Sequence, residues 1–253
     1  MLSKMKNNIK ADCLVLYHSS MIRWCFLIFM LICAYVLSVS SSMIFGEISD
    51  GFYTSQLLIT MSQFNVFFIV ILGAFLGAKD LEWQTYSVRL VNAKRMILSV
   101  SRCVLILIVS ISSVVLNLVI GLIFDILGNC TEPISFRMLS KYLSVVLVVW
   151  FWGLLSYILA FLTKSFAVSS SVIIGYLFLE SFIIRFLPDA VCGALPLWNQ
   201  KSLLHYFFPV NEGAVAIVQQ EFSNPLTALC VIAVYTAVTL MIVSIFARKK
   251  GYN

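Results

Sequence analysis

Few side chains in this sequence are placed to do chemistry. Asp125, Glu180 and Arg185 stand within or beside apolar stretches, and an ionisable group at membrane depth is costly enough to mark a substrate, ion or proton path by default. Glu180 is the foremost of the three. A second reading stays open for all of them, interfacial anchoring or helix pairing. Glu180 and Arg185 are five residues apart and so point in different directions on a helix. Intramembrane proteolysis would need a nucleophile with a base, a carboxylate pair, or an H-E-x-x-H zinc helix. The only histidines are His18 and His205, and neither has a partner set. The seven cysteines form no C-x-x-C pair, which argues against a zinc or thioredoxin-like site. Gly73-Ala74-Phe75-Leu76-Gly77-Ala78-Lys79 lacks the Gly-Lys pair of a phosphate-binding loop. The chain is therefore expected to be no enzyme and to bind neither metal nor cofactor. Gly73 and Gly77 instead form a G-x-x-x-G step, which lets two helices approach closely.

The elements that position these residues follow from composition. Of 253 residues, 61% are hydrophobic and 11% charged, with a mean hydropathy of +1.01, where a soluble domain carries about 25% charged residues. That balance excludes a disordered chain, a nucleic-acid binder and a disulfide-stapled secreted fold. Apolar runs near the length of about 20 residues needed to cross hydrocarbon fall at Ile22–Phe45, Leu57–Ala78, Cys103–Leu127, Tyr142–Thr163, Phe166–Leu187 and Leu226–Ala247. The expected fold is an all-α membrane protein with six transmembrane helices, and the first run is too long for a cleaved signal peptide. With the N-terminus inside, 13 of the 17 Lys and Arg residues lie on the cytoplasmic side and 4 outside, as the positive-inside rule requires. Both termini are then cytoplasmic, and the net charge of +6 reflects topology rather than nucleic-acid binding. Cys130 and Cys192 both fall outside, which leaves their pairing open.

Three segments lie beyond the spans of this single transmembrane domain (1–253). Residues 1–21 place Leu2, Met5, Ile9 and Leu16 near one helical face and Lys4, Lys6 and Lys10 on or beside the other, the pattern of an interfacial helix on the lipid bilayer. It precedes the first five spans, 22–187. The connection from Lys79 to Arg102 is too long for a turn. Asp80 and Glu82 there favour the start of a short amphipathic cytoplasmic helix, where the macrodipole welcomes negative charge. Residues 188–225 hold Trp198, Phe207 and Phe208 among other apolar side chains. They predict one or two short helices dipping into the outer leaflet, broken by Pro209, before the sixth span and basic tail at 226–253.

This arrangement resembles the ABC type-2 export permeases over nearly the whole chain. An interfacial N-terminal helix, six spans, an amphipathic loop after the second span and a re-entrant-like segment before the sixth carry the resemblance. So does the Asp80-Leu81-Glu82-Trp83-Gln84-Thr85 stretch with Lys94-Arg95 and Arg102 beyond it. Gln84 stands where the family has glycine, and the loop has no proline. The resemblance implies a bacterial cell-membrane exporter subunit whose energy comes from ATP and magnesium held by a separate ABC ATPase dimer. That dimer would engage Asp80, Glu82, Trp83, Thr85 and Tyr86. A second permease, identical or unlike, would complete the assembly, and Glu180, Trp198, Phe207 and Phe208 would line the path or its gate. Small permeases of this kind look like those that expel lantibiotics and other antimicrobial peptides for self-immunity. Relatives carry drugs, lipids or glycans, and an ion-coupled secondary transporter using Glu180 or Asp125 is the alternative from another class.

Overall fold

Long unbroken apolar sequence leaves backbone N–H and C=O groups no partner but one another, and helices result. The computed structural model describes residues 2–42, 52–83, 95–127, 136–184, 186–207 and 224–248, and these contain helices and turns without a strand. The order is α1 (Leu2–His18), α2 (Ser20–Ser42), α3 (Phe52–Glu82), α4 (Arg95–Leu127), α5 (Phe136–Thr163), α6 (Phe166–Ile183), α7 (Asp189–Cys192), α8 (Pro196–Phe207) and α9 (Pro225–Arg248). Five of them, α2, α3, α4, α5 and α9, are long and apolar enough to cross a membrane. The chain is a multi-pass membrane protein. The remaining expected span is α6, Phe166–Ile183, an apolar helix of 18 residues. At 1.5 Å per residue its length is about 27 Å, against about 30 Å of hydrocarbon.

The bundle is built around α3 and α5. Of their apolar windows 72% and 61% are buried, against 28% for α2 and 22% for α9, so α2 and α9 are left at the periphery. The two central helices meet along the glycines. A Cβ on Gly73 would collide with the Gly153 carbonyl of α5, and one on Gly77 would stand 2.5 Å from the Tyr157 oxygen and 2.7 Å from Ala160 Cβ. The G-x-x-x-G step therefore packs α3 against α5 within the chain. Ser156 Oγ donates to Val70 O at 2.7 Å across the same interface. A polar bond here replaces one that hydrocarbon could not supply.

The connection after α3 departs from expectation. Asp80 and Glu82 do not begin a helix. They lie in the last turn of α3, and α4 begins at Arg95. The expected short amphipathic helix falls on residues 84–94, outside the described ones. Negative charge at a helix C-terminus opposes the macrodipole, and partners on other helices outweigh it here. Between α5 and α6 the chain reverses in two residues, through Lys164 at φ 54° and Ser165, whose Oγ caps Val168 N.

Candidate functional site

At one end of the bundle four charged side chains meet out of contact with solvent. Asp12 of α1, Lys79 and Asp80 of α3 and Arg102 of α4 are each 0–1% exposed. Lys79 Nζ donates to Asp12 Oδ1 at 2.7 Å, Arg102 Nη2 pairs with Asp80, and Arg102 Nε lies 3.6 Å from Asp12 Oδ2. Lys79 also stands 5.7 Å from the centre of the Phe75 ring. Tyr157 of α5 and Ser99 of α4 close the cluster beside Arg102. Among the described residues two cations face two carboxylates, so these four side chains balance in charge. Neutrality is the condition for leaving charges in a low-dielectric interior, where an unpaired ion costs several kcal/mol or more. Arg102 suits its place because a guanidinium can address Asp80 and Asp12 with different N–H groups.

The quartet fixes α1 to the bundle. Ser19 N donates to Val15 O at 2.9 Å and Arg23 N to Ser19 O at 3.1 Å, so α1 runs into α2 through a hydrogen-bonded joint. Leu16 is buried in the main core with Ile9 and Val15 packed against it, while Lys4, Lys6 and Lys10 are exposed. Lys79 and Asp80 end α3, and Arg102 stands two turns into α4. The ion cluster thus ties α1 to both helices that flank 84–94.

Three other carboxylates share one task. Each accepts from the N-terminal amides of a helix other than its own, the donors that a helix leaves without intrahelical partners. Glu82 Oε1, at the end of α3, accepts from Phe166 N of α6 at 2.7 Å. Asp125 Oδ2 of α4 accepts from Thr54 N of α3 at 3.1 Å and also from the Thr54 hydroxyl, while the Tyr142 hydroxyl donates to Thr54 O at 3.4 Å. Glu180 Oε1 of α6 accepts from Leu197 N at 2.6 Å and Trp198 N at 3.3 Å of α8. Pro196 starts α8 and has no N–H to satisfy. Glu180 is 2% exposed, the Tyr176 side chain stands beside its carboxylate, and among the described residues its Oε2 has no hydrogen-bond partner. Asp125 and Glu180 thus each join two helices.

Glu180 and Trp198 are brought together. Trp198 is 1% exposed and packs with Ile184 and Cys192, with Leu187 and Leu195 against them. Asn199 Nδ2 donates to Leu195 O at 2.7 Å and Gly193 O at 2.9 Å, which locks the turn before α8. Beside this joint is a cavity of about 70 Å³ between α3, α6 and α8, lined by Gln63, Val66, Phe67, Phe178, Leu197 and Gln200 among others. Phe67 and Phe178 stack across it with centroids 6.0 Å apart. Gln200 Oε1 accepts from Trp152 Nε1 at 3.0 Å, which links the cavity to the α5 core. The cavity combines an aromatic wall with amide groups.

Of the remaining candidates, Trp83 is 55% exposed, its ring 5.9 Å from that of Phe75 in an edge-on contact. Thr85, Tyr86 and Phe208 lie outside the described residues, and Phe207 ends α8. Cys130 also lies outside them, while Cys192 Sγ is 3.7 Å from the carbonyl oxygens of Ile184 and Leu187. Among the described residues no cluster of His, Cys, Asp and Glu is arranged to hold a metal ion. Sequence reasoning missed Asp12 and Lys79. The available signal was that Asp12 is the sole acid among the first 25 residues, on the same helical face as Leu16. No protein-family model matches the sequence, and a comparison with curated proteins returns none that is significantly similar.

Proposed function

We propose that this chain is the transmembrane permease subunit of a bacterial ABC exporter, moving an amphipathic substrate out of the cell membrane with ATP hydrolysed by a separate ATPase dimer. A lantibiotic or similar antimicrobial peptide is the substrate class we favour, with drugs, lipids and glycans behind it. The observation that carries the reading is the Asp12, Lys79, Asp80 and Arg102 quartet. An ATPase seated beneath the bundle would engage 84–94 with the exposed Trp83 beside it, and Thr85 and Tyr86 fall within that segment. Because the quartet joins both flanks of the segment to α1, displacement there moves three helices as one unit. At the opposite end, Glu180 holds α8 beside the aromatic cavity lined by Phe67 and Phe178. A second permease copy or an unlike partner would complete the path.

The test keeps the quartet intact and removes the contact surface. A W83A/T85A/Y86A variant is expected to insert and fold normally but to weaken ATPase association by roughly thirtyfold, the ~2 kcal/mol of one interface hot-spot aromatic. Association and export at wild-type levels would contradict the proposal. A second reading, ion-coupled transport, draws on the buried Glu180 carboxylate, whose Oε2 has no hydrogen-bond partner among the described residues. Transport that persists without any ATPase and is lost in E180Q would favour it.

A further inference from the structure

The outward side of α1 is a surface whose charge no residue of its own helix balances. Lys4, Lys6, Lys10 and, just beyond the joint, Arg23 are exposed. Asp12, the one acid in this stretch, is wholly buried and committed to Lys79 and Arg102. Successive residues on a helix turn by about 100°, which sets Lys6, Lys10 and Tyr17 on one line away from the Asp12 and Leu16 line. Exposed apolar side chains are mixed with the cations. Leu14 is 52% exposed, Tyr17 74% and, at the start of α2, Trp24 64%. Cations beside Trp and Tyr are the side chains found at the level of lipid headgroups. The short hydrogen-bonded joint at Ser19 keeps α1 at the level where the α2 span begins.

We propose that this face of α1 is a binding surface for anionic phospholipid headgroups, with Lys6, Lys10 and Arg23 meeting the phosphates and Leu14, Tyr17 and Trp24 set into the boundary with the acyl chains. The opposite face of the same helix carries Asp12 into the ion quartet. Headgroup occupancy therefore steadies the quartet through one continuous helix of 17 residues, and the lipid regulates how firmly α1 is docked. The inference needs only a multi-pass membrane protein and does not depend on the transport reading.

The purified full chain is reconstituted in bilayers of equimolar phosphatidylcholine and phosphatidylglycerol, and electron paramagnetic resonance reads the motionally restricted fraction of spin-labelled phosphatidylglycerol and, separately, phosphatidylcholine. The wild type is expected to prefer phosphatidylglycerol, with the preference collapsing at high salt. In K6Q and K6Q/K10Q it should fall by up to roughly fivefold per lysine, the usual strength of one basic residue at an anionic surface, and K164Q at the α5–α6 turn should keep it. In parallel, phosphatidylglycerol should raise the unfolding temperature of the wild type more than that of K6Q/K10Q. Equal restriction of the two lipids by the wild type, or a preference untouched by K6Q/K10Q, overturns the proposal. Loss of a protein subunit from native membranes in K6Q/K10Q with the lipid preference intact overturns it in favour of a protein partner.

Discussion

Neutralising Asp12 tests whether the quartet holds α1 in place. Asp12 is 0% exposed, 2.7 Å from Lys79 Nζ and 3.6 Å from Arg102 Nε. At an effective dielectric constant of about 20, the closer pair alone represents about 6 kcal/mol of gross attraction. The net loss is smaller because the partners reorganise, and one-sided removal of a buried ion pair typically costs about 3–5 kcal/mol. Among the described side chains, D12N leaves Lys79 and Arg102 facing Asp80, an excess of one positive charge. K79M leaves the opposite imbalance, and D12N/K79M restores neutrality with Asp80 and Arg102 still paired. The single variants are therefore expected to lose about 3–5 kcal/mol each, and the double variant far less than their sum. Reversible unfolding in mixed detergent micelles, followed by tryptophan fluorescence, gives the three values and their coupling. Strict additivity, or a D12N cost below about 1 kcal/mol, would refute the reasoning. The double variant also separates stability from function. It should fold, yet uncouple any process that requires α1 to move with α3.

E180Q should retain an acceptor for Leu197 and Trp198 but lose the charge that strengthens both bonds, at a cost of about 1–2 kcal/mol; faster hydrogen exchange at those two amides is the readout, and unchanged exchange would contradict the cap. G73A is expected to destabilise by about 1–3 kcal/mol through collision with the Gly153 carbonyl. A Cβ at Gly175 meets nothing within 4 Å, so G175A should be neutral or stabilising by up to about 1 kcal/mol; thermal unfolding of the pair decides, and equal losses would refute the packing argument. Burial first, and Asp12 second, hold the Cys13 thiol above its ordinary value. Removing the Asp12 charge lowers that value, so a D12N chain retaining Cys13 alone should react faster with maleimide at about pH 8 because more thiolate is present. A slower or unchanged rate would contradict the contact.

The membrane-crossing helices were legible because hydrocarbon imposes length and apolarity on each stretch independently of its neighbours. The Gly73 and Gly77 step was legible as a close approach, although its partner, Gly153, is a single glycine with no pattern around it. What was not legible depends on pairs distant in sequence. Asp80 and Glu82 suggested the start of a helix, since acids near an N-terminus are favourable. They instead end α3, held by Arg102 and by the first amide of α6. An acid beside a helix N-terminus is the right physics here, but the helix belongs to another part of the chain. The same holds for Asp125 at α3 and Glu180 at α8. Local sequence states that a buried carboxylate needs a partner; only the packing says which amide supplies it. Phe166–Leu187 shows a second limit. Its apolar run satisfies a length count, while α6 ends at Ile183 and Glu180 in its last turn faces α8.

The proposal that an external ATPase drives this chain is tested most directly by affinity purification from gently solubilised native membranes, with mass spectrometry of what accompanies the chain and an ATPase assay of the eluate. The account predicts a Walker-motif ATPase in the eluate, alone or with a second multi-helix permease, and ATP hydrolysis that the W83A/T85A/Y86A variant fails to retain. A chain that purifies without any ATPase after crosslinking, and still moves its substrate in cells lacking one, would contradict it.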